Sequence, residues 1–167
     1  MKAPTFIVTA LLGLASASSS TELPTANITI SGDNVTALGA STPFYPCKGF
    51  ALDNNIFDIK EVILDPNPPR KGSDVKIVVR GHVNQGIANG AYIKATVKKG
   101  VLKHSFNFDF CQGVQAGCPV AAGDVEFWTG KHVPKLAPGG KAKIYLRPYT
   151  VDERIMGCVE VPVTLVK

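Results

Sequence analysis

Cys47, Cys111, Cys118 and Cys158 carry the most specific chemistry in this sequence. They could close disulfides or hold zinc, and compartment and spacing decide between the two. The chain opens with Met1-Lys2, runs into the apolar stretch Phe6–Leu14 and continues with the small-x-small sequence Ala15-Ser16-Ala17. This is the form of a secretory signal peptide, expected over residues 1–17, and it directs the chain to an oxidising lumen or to the outside of the cell. The apolar run is well short of the ~20 residues that cross a bilayer. Zinc is disfavoured because no cysteine pair has C-x-x-C spacing and His82, His104 and His132 are scattered. No metal and no cofactor are expected. Four cysteines allow three pairings, and the local choice is Cys111 with Cys118, since Gly113 and Gly117 let the intervening chain turn sharply. Cys47 then joins Cys158, a long closure worth roughly 4–5 kcal/mol in the chain-entropy description.

Other reactive constellations are missing. There is no G-x-S-x-G elbow, no H-E-x-x-H helix and no phosphate-cradling glycine loop. Asp152-Glu153 and Asp124/Glu126 are carboxylates close in sequence, of the kind usually solvated in turns. The chain is not expected to be an enzyme.

The cysteine clip adjoins an aromatic row. Phe106, Phe108 and Phe110 alternate with Asn107 and Asp109, so an extended chain turns three rings to one face. A clipped loop, Cys111–Cys118, then sits at the mouth of that row, and the pair suggests an apolar ligand site. Phe106, Phe108, Phe110, Val120 and Phe127 are the first candidates to line it, with Pro119 shaping the rim. Val79, Val97, Ile144 and Leu146 either line the site or pack as ordinary core. Phe127 and Trp128 are neighbours on one strand, so one of them faces inward.

The elements that must position these residues read as strands almost throughout. Ile56–Leu64 has a disturbed register near Glu61 and ends at Asp65-Pro-Asn-Pro-Pro69. Val75, Ile77 and Val79 alternate with polar residues, although Val78 breaks the pattern. Ala91–Lys98 and Val101–Phe110 form a hairpin about Lys99-Gly100. Asp124–Thr129, Ala142–Arg147 and Val159–Leu165 complete the set, with Pro162 marking an edge or a bulge. Six or seven short strands without a helical period predict an all-β fold, an immunoglobulin-like sandwich of two antiparallel sheets with about seven strands.

Residues 18–42 are rich in Ser, Thr, Ala and Gly and carry two sequons, at Asn27 and Asn34. They read as a pro-segment or flexible arm ahead of a single domain at 43–167. Beyond residue 38 there are 17 Lys and Arg against 11 Asp and Glu. Lys94, Lys98, Lys99 and Lys103 gather near the hairpin turn, and Lys131, Lys135, Lys141 and Lys143 near later loops. A basic rim favours transient contact with anionic membrane surfaces. Nucleic acid is not an expected partner, because a secreted chain lacks access to it and no binding motif is present.

Cys111–Cys118 followed by Pro119-Val120, then Leu136-Ala-Pro138, then Cys158-Val-Glu160-Val-Pro162-Val163, resemble the ML lipid-recognition domain over about Phe44–Val166. This is the family of the Niemann-Pick type C cholesterol-binding lysosomal protein, and the likeness is greatest to its fungal phosphatidylglycerol/phosphatidylinositol transfer branch. The resemblance implies an apolar cavity between the sheets, the disulfides Cys47–Cys158 and Cys111–Cys118, and a monomer that transfers phospholipid between membranes in the secretory pathway, outside the cell or in the vacuolar lumen. Sterol binding and transfer, or lipid-dependent recognition by a receptor, are the alternatives it implies. The chain departs from the sterol-binding relatives in two places: no partner cysteine follows Cys47 closely, and Val159 stands where they tend to have Trp.

Overall fold

The computed structural model of the chain describes residues 40–167; the expected leader, most of the expected arm and both sequon residues, Asn27 and Asn34, lie outside the described residues. Eight strands run in the order β1 (Tyr45–Pro46), β2 (Phe57–Asp65), β3 (Asp74–Val83), β4 (Tyr92–Lys99), β5 (Leu102–Asp109), β6 (Gly123–His132), β7 (Gly140–Tyr149) and β8 (Val159–Leu165). One helical turn, α1 (Phe110–Gly113), separates β5 from β6. The strands form two antiparallel sheets, β1-β8-β7-β4-β5 and β2-β3-β6. The seven longer strands are those expected from alternation, and β1 is a short addition beside β8.

Local irregularities fall where the sequence signals them. β2 changes register between Ile59 and Glu61, a bulge that lets one strand keep its apolar side inward on both sides of the break. Val78 points away from the core side of its sheet, in a cross-strand row with Ile63 and Trp128. That row accounts for the spoiled alternation. Pro162 pairs with Lys143 of β7, at a position of β8 that β1 does not reach, so its missing donor costs no ladder on a second side. Lys99 pairs with Leu102, leaving Gly100-Val101 as a two-residue turn in which Gly100 takes φ 57°.

One expectation is corrected. Phe110 does not continue β5 but begins α1. The cause lies one residue earlier: Asp109 is the N-cap and its carboxylate accepts from the Gln112 backbone N–H at 3.1 Å, which favours a turn over a further extended residue.

A continuous apolar cluster joins the sheets, with Phe57, Val62 and Val79 from one and Ile93, Ala95, Leu146 and Val161 from the other. The two ends of the sandwich differ. At the clip end lie both disulfides, Cys47–Cys158 and Cys111–Cys118, together with backbone bonds Phe57 to Met156 and Phe110 to Ala91. At the opposite, hairpin end, backbone bonds from Gly72 to Val133 and from Lys71 to Val166 tie the loops. Phe127 is 1% exposed and Trp128 49% exposed, which settles their orientation. Phe127→Ala is expected to lower unfolding free energy by about 3–5 kcal/mol, and Trp128→Ala by about 1 kcal/mol or less, measured by equilibrium urea unfolding.

Candidate functional site

Burial falls away along one side of the sandwich only; elsewhere Leu64, Val75, Ala142 and Val163 stay buried toward the hairpin end. At the clip end the Phe110 ring meets Phe57 edge-on at 5.7 Å and stacks on Phe127 at 5.6 Å. All three are fully buried. Gly113 of α1 lies so close that a Cβ there would overlap the Phe127 ring, so the clipped loop packs down as a plug. The sequence suggests a mouth at this loop; the structure closes it.

Openness lies toward the hairpin end, along one side. Inward positions of β4 pass from buried Ile93 and Ala95 to half-buried Val97, and those of β7 from buried Leu146 to half-buried Ile144. On β5, Phe108 and Phe106 are half-buried. Among the described residues the two sheets meet here without a ladder, because β5 pairs only with β4 and β6 only with β3. A seam of side chains alone separates the interior from water between those edges.

Phe106 and Phe108 lie across this seam in edge-to-face contact at 5.4 Å. Lys131 shares the inner side of β6 with Phe127, by alternation, and its Nζ reaches to 5.1 Å from the Phe106 ring centre. The His104 ring lies 5.6 Å from Phe106 on its other side. A cation–π contact at an exposed site contributes only about 0.5–1 kcal/mol. The seam is therefore a contact of apolar side chains with a cationic lip and a weak closure.

The structure places nine of the ten residues singled out above in this one apolar body. Val79, Phe110, Phe127 and Leu146 are buried in the cluster, and Val97, Phe106, Phe108, Val120 and Ile144 pack against it half-buried. Pro119 stays exposed, outside the cluster. Sequence reading put Lys131 in a basic rim but did not place it against Phe106, and it did not single out Val125 and Val133, which also pack against the apolar cluster. The signal was available, since Lys131 is two alternations from Phe127 on the same side. Among the described residues no group of three or more His, Cys, Asp or Glu could hold a metal.

A second feature lies on the outer side of the five-stranded sheet near the hairpin end. An open groove of about 760 Å³ is bordered there by Lys98, Lys99, Lys141, Lys143, Tyr145 and Pro162. Lys143 bonds Glu160 at 2.6 Å. That bond lowers the Glu160 carboxyl below its ordinary value and raises the Lys143 ammonium above its own.

Sequence comparison gives this sandwich a family. The sequence model of the ML domain matches residues 41–165, and the chain belongs to the ML domain family. Phosphatidylglycerol/phosphatidylinositol transfer protein of Yarrowia lipolytica is 34% identical over 113 residues, covering 65% of this chain and 60% of the relative. The match thus spans less than two thirds of that relative's length. The protein of the same name from Pyricularia oryzae is 32% identical over 122 residues, 71% of this chain and 68% of the relative. These relatives are named as transfer proteins, not as enzymes. Among solved structures, a Niemann-Pick type C2 protein from Japanese carpenter ant superposes with TM-score 0.61 at 15% identity, over 74% of this chain and 99% of the other, and shares the fold. Two disulfides and this family place the domain in an extracellular or lumenal setting.

Protonation tests the Lys143–Glu160 pair. A carboxyl held below its ordinary 4.5 contributes stability that is complete above that value and lost as pH falls through the lowered one. Glu160→Gln should flatten this part of the acid limb in unfolding free energy against pH, leaving the slope near pH 7 unchanged.

Proposed function

We propose that this chain carries phospholipid between membranes, with its acyl chains held between the sheets and admitted along the β5–β6 seam. The observation that carries this reading is the pair Phe106 and Phe108, half-exposed on the inner side of an edge that has no ladder partner in the facing sheet. An acyl chain in water costs about 0.8 kcal/mol per CH₂. A carrier must therefore keep nearly the whole chain dry and still open. The seam supports both requirements, because separating β5 from β6 breaks side-chain contacts but no backbone hydrogen bonds between them. The stacked rings and the Cys111–Cys118 bridge hold the clip end, so spreading is greatest at the hairpin end.

The names of the relatives favour phosphatidylglycerol and phosphatidylinositol as headgroups, and the lysines around the open end suit anionic ones. The cation of Lys131, beside Phe106 at the lip, supports a phosphate meeting the protein there. On this reading residues 1–17 are a leader, 18–42 an arm, and the domain acts as a monomer in the secretory pathway, outside the cell or in a vacuolar lumen.

Organic extraction of the purified protein followed by mass spectrometry should return phospholipid. Sterol in its place would move the substrate class, and no lipid would sink the reading. In a fluorescence assay of transfer between vesicles, Phe108→Asp should slow the rate by about tenfold or more, since a carboxylate at the seam must lose its water beside hydrocarbon. Circular dichroism confirms that the variant is folded, and Phe108→Ser serves if it is not.

A further inference from the structure

The most exposed large aliphatic side chains of the described residues project from one end of the molecule. Val101 is 98% exposed at the tip of the β4–β5 hairpin and Leu136 is 96% exposed on the β6–β7 connection. Leu102, beside Val101, is 59% exposed. The tips are neighbours, because β7 begins beside β4 and a Cβ on Gly140 would lie 3.5 Å from Lys99 Nζ. Neither is a slack loop. Gly100-Val101 is a tight turn, and the Leu136 segment is tied at its base by the bond from Gly72 to Val133 and within itself by the bond from Ala137 to Pro134.

Charge sets this end apart. Lys98, Lys99 and Lys103 flank Val101, Lys135 and Lys141 flank Leu136, and Arg70 and Lys71 stand on the adjoining β2–β3 connection. Asp65 and Asp74 are the carboxylates there, and Asp74 is bonded to His132 at 2.9 Å. At the clip end Asp53, Asp58, Asp109, Asp124, Asp152 and Glu153 outnumber Lys48, Lys60 and Arg154, the last two of which are bonded to Asp124 and Asp152. The described domain is thus more basic at its hairpin end than at its clip end.

Two fully exposed aliphatic tips within a ring of lysines fit one kind of partner, a surface that is anionic at its face and apolar just beneath it. A protein surface complementary to this ring would have to present acidic residues around two apolar pits, whereas a bilayer supplies both layers everywhere. We propose that the hairpin end docks on anionic phospholipid membranes, with Val101 and Leu136 dipping below the headgroups and the lysines resting on the phosphates. The inference builds on the transfer reading, since docking in this pose brings the open part of the β5–β6 seam to the membrane.

Flotation with vesicles tests it on the whole domain. Vesicles of equal parts phosphatidylcholine and phosphatidylglycerol should bind the protein, pure phosphatidylcholine should bind it far more weakly, and added salt should release it. Val101→Asp with Leu136→Asp should weaken binding by at least about tenfold, while Val151→Asp, an exposed apolar change at the clip end, should leave it unchanged. Lys99→Gln and Lys135→Gln should each weaken binding by roughly fivefold. Docking is overturned if the double variant binds like the parent, if Val151→Asp weakens binding equally, or if phosphatidylglycerol makes no difference. It is also overturned if the double variant alters self-association in sedimentation and leaves vesicle binding intact, which would assign the tips to a second copy. Failure of the transfer reading looks different: the protein would dock as described and yield no lipid on extraction.

Discussion

The Phe110 ring is the point on which the two sheets are pinned. It comes from a connection, not from a strand, and it is gripped by Phe57 of one sheet edge-on and by Phe127 of the same sheet's far strand in a stack. Aromatic pairs in these geometries contribute about 0.5–1.5 kcal/mol beyond their burial. The contact holds because Asp109 turns the chain at the right residue and because Gly113 leaves room for Phe127. Both disulfides lie at the same end, Cys47–Cys158 joining neighbouring strands of one sheet and Cys111–Cys118 closing the loop that carries Phe110. The other extremity is held by the apolar interior and by backbone bonds from Lys71 to Val166 and from Val166 to Pro69.

Electrostatics follows the same axis without carrying the fold. Arg80 lies between Glu61 and Glu126 at 2.9 and 2.7 Å, across all three strands of the smaller sheet. These groups are substantially exposed, and exposed pairs contribute about 0–1 kcal/mol. Burial of the apolar cluster outweighs them by a wide margin. The charges matter through their distribution, because a basic end and an acidic end create a field that orients the molecule near a charged surface. In the proposed docking pose the end that this field turns toward an anionic surface is also the end toward which burial falls from Ala95 to Val97 and from Leu146 to Ile144.

Much of this was legible in the residues. Alternation located the seven longer strands, the bulge near Glu61 and the edge at Pro162, because a half-buried strand states its two faces in its own sequence. The Cys111–Cys118 clip followed from locality, and its place near the aromatic row was correct. What the sequence could not tell was whether the clip is a mouth or a plug. Asp109 reads equally well as an outward strand residue and as a helix cap, and only the bond to Gln112 decides. The free seam was hidden for another reason. Which strands lie at the edges depends on sheet order, and sheet order is a property of long-range pairing that no local period encodes. Lys131 was readable by face but not by neighbour, since Phe106 belongs to the other sheet.

On the transfer reading proposed above, a carrier needs its bound and released states to lie close in free energy, and the aliphatic residues of the interior behind the seam are suited to that. Ala95, Val97, Ile144 and Val79 are small or branched aliphatics whose mutual contacts are dispersion contacts of the kind a methylene chain also makes. Exchanging one set for the other changes little in contact energy, whereas the aromatic stack at the clip end would lose a specific geometry if it were parted. Specific aromatic geometry thus sits in the clip-end stack and in the Phe106–Phe108 pair at the seam, with interchangeable hydrocarbon between them. The absence of a ladder between β5 and β6 completes the arrangement: an exposed backbone edge costs little in water, but a broken one inside the sandwich would leave buried donors unpaired. The backbone bonds that do cross between the sheets, Phe57 to Met156 at the clip end and Lys71 to Val166 and Val166 to Pro69 at the hairpin end, lie on the β2–β8 side, which leaves the β5 and β6 edges themselves joined by side chains alone.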